Sequence, residues 1–177
     1  CKDAQFVERN QIGEIIVRGP RVTRSYFNRP ESTRASKIVH EDGTFHHRMG
    51  DLGYFDDEGR LWFCGRKAHR VVTEQGTHFT VTCEGVFNTH PGVYRSALVG
   101  PVIDGEVKAV ICVELNDSAA ALKPLDQLRE ELLTLAGGYQ CSQMIDTVLF
   151  HSSFPVDVRH NSKIFREKLK LWAEGQL

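Results

Sequence analysis

The stretch from His47 to Ala68, HRMGDLGYFDDEGRLWFCGRKA, most constrains what this chain can fold into. It opens on a Gly-Asp turn, Gly50-Asp51, followed by a short apolar strand from Leu52 to Phe55. The polar turn Asp56-Asp57-Glu58-Gly59 separates that run from a second strand, Leu61 to Cys64, which ends at Gly65-Arg66-Lys67. Two β-rich runs joined by a Gly-ended polar turn predict a hairpin. Its open end brings Asp51 and Arg66 towards each other, just outside the paired strands. A carboxylate accepts hydrogen bonds from vicinal hydroxyls, and a guanidinium fork donates to ribose or phosphate oxygens. The rim therefore suits a polyhydroxylated, phosphorylated ligand. Spacing alone leaves a plain rim salt bridge open, and favours it, because surface ion pairs are common and weak.

Around this hairpin the chain changes character once. Before it, Glu14 to Arg18 reads as a strand closed by Gly19-Pro20, and Pro30-Glu31-Ser32-Thr33 starts a short helix through Lys37. Glu41-Asp42-Gly43-Thr44 is a tight turn. Residues 1–66 are thus turn-rich and β, suited to closing a larger domain rather than folding alone. From Ala68, a small hairpin (Arg70 to Thr73, His78 to Val81) precedes a helix from Cys83 to Thr89 with Thr82 as its cap. Val93 to Val102 and Val107 to Leu115 predict two antiparallel strands. Pro124 to Ala136 is the clearest helix, with Leu125, Leu128, Leu132 and Leu135 on one face and Gly137-Gly138 ending it. Thr147 to Phe150 is a third strand. Lys163 opens a terminal helix whose apolar contacts come from Ile164, Leu169, Leu171 and Trp172. The boundary falls at Arg66 to Ala68, where a few residues suffice for a hinge.

Composition excludes more than it selects. A 177-residue chain with 41% hydrophobic and 25% charged residues can bury a core in one or two domains. A net charge of -1 supplies no electrostatic case for nucleic acid, and Glu167 and Glu174 interrupt the basic last helix. No apolar run is long enough to span a bilayer, and the first residues of this sequence do not read as a secretory h-region. The 5 cysteines (Cys1, Cys64, Cys83, Cys112, Cys141) are scattered and mostly in apolar surroundings, which favours reduced thiols and a cytoplasmic setting, with no metal site.

The segment RMGDLGYFDDEGRLWFCGRK resembles the GDLG…GR-K block of the adenylate-forming (AMP-binding, acyl-CoA synthetase-like) superfamily. GEIIVRGPRVTRSYFNRPEST (Gly13 to Thr33) resembles the block that precedes it there, and NSKIFREKL (Asn161 to Leu169) the terminal block. The resemblance implies an α+β architecture: residues 1–66 the β-rich end of a large N-terminal AMP-binding domain, residues 67–177 a small mobile lid. It implies that this chain is part of a longer enzyme, with the ATP phosphate loop, the Mg²⁺ site and most of the acyl pocket upstream. Asp51 and Arg66 match its nucleotide-binding positions, Lys67 and Ala68 its hinge, and Lys163 its catalytic lysine. ATP and Mg²⁺ are the implied cofactors.

The departures from the pattern carry information. Met49 replaces the usual Thr, Ala68 the usual Asp or Lys, and Ser162 the Gly before Lys163. Acyl-CoA synthetases typically line the pantetheine passage with a Gly-Gly loop followed by paired acids. Here the loop is Thr73-Glu74-Gln75-Gly76-Thr77-His78, and of the acids only Glu84 is present. Gln75 and Gly76, with His160 and Asn161 before Lys163, are the substrate-loop candidates. The terminal VRHNSKIFREKL is similar to that of the olefin-biosynthesis members, which by resemblance activate a 2-alkyl-3-hydroxy fatty acid that closes to a β-lactone. That reading implies assembly with other olefin-pathway enzymes. An ordinary fatty acyl-CoA synthetase is the alternative, and an inactive nucleotide- or partner-binding module is a third reading.

Overall fold

The computed structural model describes residues 5–118, 123–157, 159 and 163–177. They divide into two compact units, one ending at Ala68 and one beginning at His69.

The first unit is a four-stranded antiparallel sheet. Its spine is β3 (Phe45–Phe55), which pairs along one side with β1 (Gly13–Val17) and along the other first with β2 (Lys37–Val39), then with β4 (Leu61–Arg66). The predicted turn at Gly50-Asp51 is absent, because the strand runs through it. Gly50 takes φ 69°, which glycine alone adopts without cost, and the strand swells there against β1, whose register shifts between Glu14 and Ile16. The β3–β4 ladder slips in turn between Leu52 and Gly53. The hairpin turn forms as predicted. Asp56 folds back over it, its Oδ1 accepting the Arg60 N–H at 2.8 Å and its Oδ2 the Trp62 Nε1–H at 2.7 Å. Gly53 lets the strands close, since a Cβ there would lie 2.6 Å from the Trp62 carbonyl oxygen. The short helix α1 (Pro30–Ala35) starts on its proline as expected.

The second unit has three layers. After a 3-10 turn at Lys67–His69, the hairpin β5 (Val71–Thr73) and β6 (Gly76–His78) leads into α2 (Thr80–Phe87). A three-stranded sheet follows, with β10 (Val110–Leu115) central, antiparallel to β7 (Val93–Val99) and parallel to β11 (Thr147–Phe150). Because strand side chains alternate, Ile111 and Val113 face a core with Phe87, Leu98, Leu132, Ala136 and Val148. Val110 and Cys112 face a second core with Ala97, Val99, Phe154, Leu169 and Ala173. Helices α2 and α3 (Leu125–Gly137) supply the first core, and α4 (Arg166–Glu174) the second. A strand covered on both faces reads as the unbroken apolar run VICV.

Several element ends move. Helix α2 starts at Thr80, so Val81 is helical, and Thr82 does not cap: its hydroxyl donates back to the Phe79 carbonyl at 3.0 Å. The strand pair ends at Val99, because Gly100-Pro101 breaks the ladder. A separate hairpin, β8 (Val102–Ile103) and β9 (Glu106–Val107), turns on Asp104 and Gly105 with φ 52° and 85°. On α3 the buried stripe is Leu128, Leu132 and Ala136, while Leu125 is exposed. Gly138 has φ −76°, so that helix ends without a left-handed cap. Leu171 is exposed, and α4 begins at Arg166, three residues after Lys163.

Candidate functional site

Asp51 and Arg66 are direct cross-strand partners, the last pair of the β3–β4 ladder rather than residues beyond it. Asp51 falls inside the β1–β3 register shift, between Arg48 and Leu52, and just before the β3–β4 slip, and bulges of this kind re-aim side chains. Its carboxylate is mostly buried while the Arg66 side chain is 58% exposed. Arg66 Nη1 lies 3.1 Å from Asp51 Oδ1, yet it donates to the Met49 carbonyl at 3.2 Å. Asp51 Oδ1 is buried and accepts no hydrogen bond among the described residues. A buried acceptor left with charge proximity alone keeps its capacity for a donor, such as a hydroxyl. Arg66, with one N–H on Met49 and more than half of its side chain exposed, keeps donors for an anion.

Lys67 is anchored in the first unit. Its Nζ donates to Glu14 Oε2 at 2.8 Å, and Arg48 Nη2 donates to the same oxygen at 2.6 Å. Burial pushes the Glu14 carboxyl up, but hydrogen bonds and charge from Arg48 and Lys67 outweigh it and hold the group below the ordinary carboxylate range. Ala68 follows in the 3-10 turn and is exposed.

In the second unit, Gln75 and Gly76 are exposed at the tip of the β5–β6 hairpin, where Thr73 pairs with Gly76 and Gly76 has φ 139°. Lys163 lies in an extended segment, not on a helix. Its carbonyl accepts from the Asp157 N–H at 2.9 Å, Ile164 bridges Val156, and the Phe165 N–H donates to the Pro155 carbonyl at 2.8 Å. The backbone after Lys163 is therefore pinned. Its side chain is exposed, with no hydrogen-bond or ion-pair partner among the described residues. Hydrogen bonds from Arg159 hold the Asp157 carboxyl low, with a smaller contribution from the Lys163 charge. His160 and Asn161 lie outside the described residues.

One important residue pair escaped sequence reasoning. Glu84, expected among the acids of a thiol passage, instead points into the second unit and grips Arg166, at 2.6 Å and 3.0 Å to its two Nη atoms. Glu84 Oε1 also accepts the Leu98 N–H at 2.8 Å, and Arg166 Nη1 donates to the Leu98 carbonyl at 3.0 Å. Burial pushes the Glu84 carboxyl up, and Arg166 draws it partly back. The clamp fastens α2, β7 and the start of α4, three residues from Lys163. The available signal was an acid on an otherwise apolar helix (TVTCEGVF), which demands a buried cation somewhere.

No protein-family model matches the chain. The olefin beta-lactone synthetase of Xanthomonas campestris is 48% identical to it over 170 residues, which cover 94% of this chain and 30% of that protein. The olefin beta-lactone synthetase of Stenotrophomonas maltophilia is 47% identical, over 98% of this chain and 32% of its own length. The solved structure of Bacillus subtilis o-succinylbenzoate coenzyme A synthetase, in complex with AMP, superposes with a TM-score of 0.76 at 26% identity. It covers 95% of this chain, which spans 32% of that structure. This chain is a relative of the adenylate-forming ligases. It spans about a third of the length of the curated relatives it matches and aligns with their C-terminal portion. The mixed α/β fold of such C-terminal portions is the fold described above. Among the described residues, no helix is long and apolar enough to cross a membrane. Nor do they hold a group of three or more His, Cys, Asp or Glu side chains that could bind a metal ion.

Proposed function

We propose that this chain supplies part of the nucleotide site and the catalytic lysine of an ATP-dependent, carboxylate-activating enzyme. The observation that carries this reading is the buried Asp51 Oδ1, which accepts no hydrogen bond and sits beside the half-exposed Arg66. Asp51 accepts from ribose hydroxyls, and Arg66 donates to ribose and phosphate oxygens. Lys163 places its ammonium between the substrate carboxylate and the α-phosphate, neutralising charge that crowds together as pyrophosphate leaves. Lys67 and Ala68 form the pivot between a large domain ending near Arg66 and a small lid. Gln75, Gly76, His160 and Asn161 border the acyl substrate. Mg²⁺ accompanies the nucleotide on ligands outside this chain.

The substrate we propose is a 2-alkyl-3-hydroxy fatty acid, in a cytoplasmic enzyme that works alongside other olefin-forming enzymes. Once the carboxylate is activated as acyl-AMP, the neighbouring 3-hydroxyl attacks the carbonyl and expels AMP, giving a β-lactone. An internal nucleophile at high effective concentration requires no external thiol. The likeness to two olefin beta-lactone synthetases supports this, as does a β5–β6 tip carrying Gln75 where a thiol passage needs small residues. A fatty acyl-CoA synthetase is the second reading, favoured by the likeness to a coenzyme A synthetase.

Two experiments on the full-length protein test this. Asp51→Ala should weaken ATP binding by about 1–3 kcal/mol, the usual contribution of a charged hydrogen-bond partner, and unchanged affinity would return Asp51 to a rim salt bridge. With ATP, Mg²⁺ and a 3-hydroxy acid, the lactone and AMP should form equally with and without CoA. A thioester formed only with CoA would select the ligase.

A further inference from the structure

The second unit holds two thiols that the proposed chemistry does not use. Cys83 lies in the first turn of α2 and is fully buried, and Cys141 is exposed in the turn after α3, 58 positions away. The two segments interlock through these residues. The Cys83 thiol meets the Cys141 carbonyl at 3.0 Å, the Cys141 thiol meets the Thr82 carbonyl at 3.6 Å, and the buried His78 ring hydrogen-bonds the Cys141 backbone. The turn itself is held firmly. Ser142, fully buried, donates its hydroxyl to the Ala136 carbonyl at 2.9 Å, and the Ser142 and Gln143 N–H groups both return to the Tyr139 carbonyl.

We propose that Cys83 and Cys141 are an oxidation site that closes to a disulfide under peroxide, with Cys141 the residue attacked first. The asymmetry in exposure sets the order. Only Cys141 meets solvent, while burial holds Cys83 protonated, its pKa pushed up to about 12. The Cys141 thiolate attacks a peroxide oxygen and becomes a sulfenic acid, and the released hydroxide leaves as water with the thiol proton. The Cys141 side chain then turns from the Thr82 carbonyl towards Cys83. The Cys83 sulfur displaces hydroxide from the sulfenic sulfur, and its proton leaves with that hydroxide as a second water. Two thiols lose two electrons and two protons, and one hydrogen peroxide becomes two waters. Cys64 and Cys112 are both buried. The bond would tie the first turn of α2, one residue from Glu84, to the end of α3.

The chain is treated with hydrogen peroxide, unfolded with an alkylating agent present, and mapped by mass spectrometry without reductant. The expected result is a linked Cys83–Cys141 peptide pair lighter by two hydrogens, reversed by dithiothreitol, and a thermal midpoint raised by several degrees before reduction. Cys141→Ser should abolish the link and leave Cys83 fully alkylated. Cys83→Ala, if it folds, should trap Cys141 as a sulfenic acid captured by dimedone. Cys141 recovered as free thiol or sulfinic acid, with Cys83 alkylated in wild-type protein, would overturn the proposal, as would a link to Cys64 or Cys112.

Discussion

Replacing Glu84 with Ala removes one half of a buried ion pair in the second unit. The side chains of Glu84 and Arg166 are 12% and 17% exposed, and the carboxylate accepts three hydrogen bonds, two from Arg166 and one from the Leu98 N–H. The variant strands the guanidinium with only the Leu98 carbonyl and leaves a buried N–H unpaired. Breaking a buried pair costs roughly 3–5 kcal/mol, and residual solvent at both side chains places this one near the lower end, about 3 kcal/mol. With a urea m-value of about 2 kcal/mol/M for a unit of this size, the midpoint should fall by roughly 1.5 M. Urea titration followed by Trp172 fluorescence, in a Trp62→Phe background, reads this directly. Glu84→Gln should lose less, because the amide oxygen still accepts from Leu98. A loss below about 1 kcal/mol for Glu84→Ala would mean that the pair behaves like a surface contact and does not clamp the unit.

Three further outcomes follow from the packing and electrostatics. Gly53→Ala should destabilise the first unit by about 1–3 kcal/mol, since its Cβ meets the Trp62 carbonyl at 2.6 Å; an unchanged midpoint by Trp62 fluorescence would show that the strands part freely. Leu132→Ala, in the fully buried core beneath α3, should cost about 2–5 kcal/mol, against little for the exposed Leu125→Ala. Glu14, with its pKa lowered in the folded state, contributes stability that is complete above the unfolded value of about 4.3. That contribution drains away as pH falls through the lower folded value. Thermal midpoints from pH 6 to about 3 should therefore drop more steeply for wild type than for Glu14→Gln, and parallel curves would contradict the assignment.

Much of the fold was legible because local signals agreed with burial. The apolar runs around Val93 and Val110, the Leu128–Leu132 stripe and the Asp56–Gly59 turn each state their own structure. What escaped was decided by partners distant in sequence. Gly50-Asp51 resembles a turn locally, but pairing with β1 and β4 carries the strand through it, with a glycine in the left-handed region. Thr82 is a good cap by composition, yet α2 starts at Thr80. The terminal helix was expected to open at Lys163, whereas the bridge from Ile164 to Val156 keeps that segment extended up to Arg166. In the candidate site, the Asp51–Arg66 juxtaposition was readable from hairpin spacing. The buried oxygen of Asp51 was not, because it depends on two bulges that no sequence pattern announces. Nor was the Glu84–Arg166 clamp, whose members are 82 positions apart.

Acid-dependent exchange of labelled pyrophosphate into ATP, by the full-length protein without CoA, reports the activation step alone. Wild type should show exchange that depends on the carboxylic acid. Lys163→Ala should lose roughly 10²–10³ or more of that rate, by analogy with removing one preorganised donor at a developing charge, with the thermal midpoint unchanged because that side chain is exposed. Exchange at the wild-type rate in Lys163→Ala would contradict a catalytic role for Lys163.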